Sequence, residues 1–135
     1  MNTLTASTDS SHRRSTFLRR VLFVDAATCL ATGALLAFGA AQLAGPLGLP
    51  AALLTYAGLS LFPCAALMLW IATRESIWRL GTWVVVLGNV GWVAGSIALL
   101  IELTPTGFGQ VFVIAQGVVV ALLADLEYAG LKRLG

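Results

Sequence analysis

The stretch Leu80–Ile101, LGTWVVVLGNVGWVAGSIALLI, carries no charged residue. It is long enough to cross a bilayer as a helix, which takes about 20 apolar residues. On a helical wheel, Gly81, Gly88 and Gly95 recur at heptad spacing, as do Thr82, Asn89 and Ser96. Trp92 projects between these two seams, and the opposite arc carries Trp83, Leu87, Val90, Ile97 and Ile101. One side is small and polar, the other bulky and apolar. The pattern predicts a transmembrane helix whose glycine/asparagine side faces other helices and whose bulky side faces lipid.

Composition extends that reading to most of the chain. Of 135 residues, 59% are hydrophobic and only 10% are charged, against about a quarter charged in an ordinary soluble domain. Ala26 to Thr73 is free of charge, and so is the run between Glu102 and Asp125. The lipid bilayer is therefore the expected environment, and no segment is long enough for a second, soluble domain. Basic residues sit at segment ends rather than in a patch, so no nucleic-acid partner is expected. Cys29 and Cys64 form no C-x-x-C pair, and the single histidine, His12, lies in the polar tail. No metal or cofactor is expected from such a set.

Outward from the opening stretch, three more helices complete an all-α integral membrane four-helix bundle of two hairpins, with helix 3 central. Helices are expected at about 19–43, 51–72, 80–101 and 110–131. The breaks are AGPLGLP (Ala44–Pro50), TRESIWR (Thr73–Arg79) and ELTPTGFG (Glu102–Gly109), each rich in proline, glycine or charge. Residues 1–16 are Ser/Thr-rich with little to bury and are expected to be a disordered cytoplasmic tail ahead of the membrane domain, 17–135. HRRSTFLRR misses the spacing of a twin-arginine export signal by one residue, and the apolar run after it contains Asp25. A retained first helix is expected.

All eight basic residues fall before helix 1, between helices 2 and 3, or after helix 4. The positive-inside rule then puts both termini in the cytoplasm of a cell (inner or plasma) membrane protein. Trp70, Trp78, Trp83 and Tyr128 fall near the same face, as an interfacial belt would.

Polar groups inside the apolar runs are where function would show, because an intramembrane carboxylate is costly. Asp25, Thr28 and Thr32 share one side of helix 1; helix 3 offers Asn89 and Trp92; helix 4 offers Gln116, Asp125 and Glu127. By the helical rise, Asp25 lies about 6 Å and Asp125 about 9 Å inside the cytoplasmic end. The candidate ligand or ion pathway is therefore Asp25, Thr28, Thr32, Asn89, Trp92 and Asp125, with two acids near enough to share a proton. The plainer reading is interfacial: Asp25 pairs with Arg19, Arg20 or Arg79, Asp125 pairs with Lys132, and Glu127 stays at the surface. Asn89 and Gln116 then act as interhelical hydrogen-bonding groups, and the glycine seam is filled by a neighbouring helix.

Four helices in so short a chain match the size of the small multidrug resistance transporters, whose first helix carries a membrane-embedded glutamate. Here the only acid in helix 1 is Asp25, and those proteins' aromatic motifs are missing, so nothing is carried over. No P-loop, H-E-x-x-H or G-x-S-x-G motif occurs. Two functions are expected from this: a non-enzymatic accessory or scaffold protein, assembling through the helix 3 seam as a homo-oligomer or with a larger membrane partner; or a small proton- or cation-linked transporter or channel subunit using Asp25, Asn89 and Trp92.

Overall fold

The computed structural model describes residues 3–134, with side chains from residue 15 onward. It contains α1 (Thr3–Phe38), α2 (Ala40–Leu47), α3 (Ala51–Ala72), α4 (Arg79–Leu103) and α5 (Gly107–Arg133), and no strand among the described residues. Four of these helices are long and apolar enough to cross a bilayer, the first over Ser15–Phe38. Helix α1 starts at Thr3, so its backbone includes most of the segment expected to be unstructured. Once a helix is nucleated, each further residue adds a hydrogen bond without a new nucleus.

The expected end of helix 1 is corrected. The chain bends at Gly39, where an added Cβ would meet the Leu35 carbonyl oxygen at 2.6 Å. It then continues as α2 through Pro46 and stops at Gly48. Gly48 has φ +68°, a left-handed conformation that glycine adopts without a Cβ penalty, and its N–H closes the helix onto Ala44 O. Pro46 removes only one late helical donor, so it does not stop the helix as the sequence suggested. Helix α3 matches its expected bounds, while α4 and α5 run a turn or less beyond theirs.

Helices α1 and α3 form one hairpin, and α4 and α5 the other. The hairpins meet along α1–α5 and α3–α4, and among the described residues no Cα of α1 comes within 8 Å of a Cα of α4. The order around the bundle is thus α1, α3, α4, α5, with α1 and α4 on a diagonal. Helices α1 and α3 cross closely at Gly33 and Gly58, where a Cβ on Gly58 would meet Ala37 N at 2.6 Å and Gly33 O at 2.8 Å. Only glycine lets α1 and α3 approach so closely there.

Helix α4 is not central. It is the least buried span, at 17% against 39% for the first. Its bulky arc is turned outward as expected, with Leu87 and Ile101 63% and 70% exposed. Similar large apolar side chains stand exposed on every span, a surface that suits lipid and not water.

Both ends of the bundle are clamped. At one end the Thr106 hydroxyl donates to Pro46 O at 2.6 Å and accepts from Gly109 N at 3.0 Å, capping α5 while tying it to α2. At the other end, Arg19 donates to the carbonyls of Ala72, the last residue of α3, and of Arg74 and Glu75 just beyond it, and Arg79 donates to Leu134 O at 2.7 Å. Cationic donors suit these places, because helix C-termini carry unpaired carbonyls and partial negative charge.

Candidate functional site

Three helices converge on one buried polar cluster. Asp25 of α1 lies on the face that also buries Leu18, Leu22, Ala26 and Cys29. Glu127 of α5 lies on the face of Gly117, Ala124, Gly130 and Leu131. Gly130 lets the two helices meet: a Cβ there would stand 2.9 Å from Leu18 Cδ1. Across the diagonal, Asn89 of α4 reaches in from a helix whose backbone stays well away from α1.

The Asn89 amide uses one nitrogen for both acids. Its Nδ2 donates to Asp25 Oδ2 at 2.8 Å and to Glu127 Oε1 at 2.7 Å. Cys29 Sγ donates to Asp25 Oδ1 at 3.6 Å, one turn along α1. Asp25 and Glu127 are 1% and 0% exposed, and Asn89 is 8% exposed. The second oxygen of Glu127, Oε2, is buried without a hydrogen-bond partner among the described residues. An unpaired buried carboxylate oxygen is an expensive feature. It marks a place where a proton or another donor fits.

This arrangement corrects the expected site. Asp125 is exposed and takes no part; Glu127, expected at the surface, occupies the interior instead. Two of the three basic residues expected as partners for Asp25 are used elsewhere: Arg19 on the end of α3 and Arg79 on Leu134. Thr28 donates to Val24 O of its own helix at 2.9 Å. Thr28 and Thr32 both line the space beside the cluster.

A second polar layer lies one turn from the first. Trp92 Nε1 donates to Gln116 Oε1 at 2.6 Å, and Gln116 Nε2 donates to Ser96 Oγ at 3.0 Å. Gln116 thus joins α4 to α5, as expected of an intramembrane glutamine. Trp92 and Gln116 also form the wall between two cavities in the groove separating the hairpins. One, of about 310 Å³, is bounded by Asp25, Asn89 and Gly88. The other, of about 410 Å³, is bounded by Gly91, Gly95 and apolar side chains including Leu36, Leu54 and Phe112. Thr32, Trp92 and Gln116 belong to both.

The glycine seam is therefore not filled by a helix of this chain. A Cβ on Gly88, Gly91 or Gly95 would meet nothing within 4 Å, and only Gly81 is packed, against Trp78 and Ile71. Among the described residues, no three His, Cys, Asp or Glu side chains converge as a metal site would require. No family model, curated protein or solved structure matches this chain.

Proposed function

We propose that the chain is a small multi-pass inner-membrane protein of the proton- or cation-linked transport type, both termini cytoplasmic, working through Asp25, Asn89 and Glu127. The observation that carries this is the pair of buried acids held against one amide nitrogen, with no basic side chain pairing with them among the described residues. Two carboxylates this close repel each other strongly in a low-dielectric interior, so they are not both ionised without help. One positive charge, a proton or a cation, has to accompany them, and in the resting protein a proton shared by the pair does so. The unpaired Glu127 Oε2 is the oxygen with room for it. Intramembrane acids facing a bundle interior are the usual carriers of coupled charge.

The test is charge movement after a pH jump on proteoliposomes adsorbed to a solid-supported membrane. Wild type is expected to give a protein-dependent transient current, and Asp25→Asn and Glu127→Gln to lose it while remaining folded. A wild-type response equal to that of protein-free liposomes refutes the reading.

The open face of α4 favours a second reading, the accessory or scaffold protein, in which a second copy or a larger partner packs onto Gly88, Gly91 and Gly95. Gly88→Leu or Gly95→Leu would then break the assembly, read as a change in mass by light scattering. An unchanged mass counts against it.

A further inference from the structure

We infer that the headgroup of an anionic phospholipid binds in the cleft between the end of α3 and the start of α4, its phosphate diester held by Arg74 and Arg79. The inference stands apart from the buried acids and does not rest on the proposed function.

The cleft has a volume of about 490 Å³. It lies between two helices long and apolar enough to span a bilayer, where α3 ends at Ala72 and α4 begins at Arg79. That junction falls at headgroup depth in a membrane. Trp70, Arg74, Ser76, Trp78, Arg79 and Leu80 line it. The two indoles meet edge to face, with ring centroids 5.4 Å apart, and make a rigid aromatic corner. The Arg74 guanidinium carbon stands 4.5 Å from the centroid of the Trp70 ring. This contact holds the charge at the cleft without using any of its hydrogen-bond donors.

The donors here are largely unspent. Among the described residues, the Arg74 side chain, the Ser76 hydroxyl and the indole N–H groups of Trp70 and Trp78 have no hydrogen-bond partner. Arg79 gives one nitrogen to Leu134 O and keeps its other donors. Helix α4 also starts without a side-chain cap, so its first backbone N–H groups add to the same excess.

Charge decides the ligand class. Two arginines line the cleft, while Glu75, the acid of the same turn, is exposed and does not line it. A guanidinium matches a phosphate in shape and charge. A zwitterionic headgroup brings its own cation to the arginines, whereas an anionic one does not. Apolar surface separates a lipid from a soluble phosphate ester. Leu80 and Trp70, 66% and 47% exposed, border the cleft and give acyl chains a surface to lie along. Indoles belong at this level of a bilayer, and basic pockets between membrane helices suit anionic headgroups.

The test places the full chain in phosphatidylcholine nanodiscs with small fractions of phosphatidylglycerol, spin-labelled on an acyl chain near the headgroup. The label quenches nearby tryptophan fluorescence, and spin-labelled phosphatidylcholine is the control. Quenching by the phosphatidylglycerol should saturate at a low fraction, and quenching by the control should rise without saturating. Arg74→Gln should raise the half-saturating fraction by about tenfold, the effect of losing close bonds to a charged group. Arg133→Gln, a basic residue outside the cleft that lies over Phe17, should change it far less. The saturable part should vanish when Trp70 and Trp78 are both replaced by phenylalanine and remain when Trp83 is. Equal effects of Arg74→Gln and Arg133→Gln would mean diffuse attraction to the membrane surface and overturn the inference. So would equal quenching by the two lipids, or saturable quenching that survives the loss of Trp70 and Trp78. Displacement of the labelled lipid by an excess of soluble glycerol phosphate would make the site one for a free phosphate ester, and the lipid assignment fails.

Discussion

Replacing Asn89 with leucine separates a charge-holding site from ordinary helix glue. Leucine matches asparagine in the number and branching of its side-chain heavy atoms and keeps the helix, but it removes both hydrogen bonds from Nδ2 to Asp25 and Glu127. With one proton shared by the acids, one bond goes to a charged carboxylate, about 1.5–3 kcal/mol, and the other to a neutral acid, about 0.5–1.5 kcal/mol, so the loss is about 2–4.5 kcal/mol. An asparagine acting only as neutral interhelical glue would lose about 0.6–1.7 kcal/mol. The ranges do not overlap. Unfolding in mixed detergent–SDS micelles, followed by helix circular dichroism, measures the difference. A double-mutant cycle with Asp25→Leu should return a coupling of about 1.5–3 kcal/mol, because the two residues share one bond. A loss below about 2 kcal/mol, with additive single changes, refutes the triad as the bundle's central polar contact.

Glu127→Gln is expected to hold or raise stability by about 0.5–2 kcal/mol in the same assay, since the amide donates to Asp25 as the shared proton does and removes a buried ionisable group. Gly58→Ala should destabilise by about 1–3 kcal/mol, because its Cβ meets backbone atoms of α1. Gly88→Ala should be neutral or gain up to about 1 kcal/mol through helix propensity, because nothing stands within 4 Å of its Cβ. Trp92→Phe removes the bond to Gln116 and should lose about 1 kcal/mol in the same assay.

Much of this architecture is legible in the sequence, because apolar run length and proline, glycine and charge at the breaks act locally. Helix α3 lies where its uncharged run places it, and the outward arc of α4 follows from helical periodicity. The packing partners are less legible. Gly88, Gly91 and Gly95 look like a seam, but a heptad of small residues does not say whether a helix or a cavity lies against it. A tight glycine contact forms instead between Gly33 and Gly58, on two helices whose register only the folded hairpin sets.

The site was half legible for the same reason. Asp25 and Asn89 stand out as polar groups in apolar runs, and both are in the cluster. Depth along the helix distinguishes Asp125 from Glu127 in the sequence, and it points to Asp125, the residue that turns outward. Phase was the better guide: Glu127 falls on the line of Gly117, Ala124 and Leu131, the small and buried face of α5, while Asp125 turns outward. A carboxylate on the small-residue face of a transmembrane helix is the signal that sequence reading could have used.

The central claim is that Asp25 and Glu127 hold a proton between them. Infrared difference spectroscopy of the reconstituted chain tests it most directly, through the carbonyl stretch of a protonated carboxylic acid. Wild type should show such a band, shifted on deuterium exchange and displaced or lost in both Asp25→Asn and Glu127→Gln. No band in wild type, or one left unmoved by both replacements, would contradict the account.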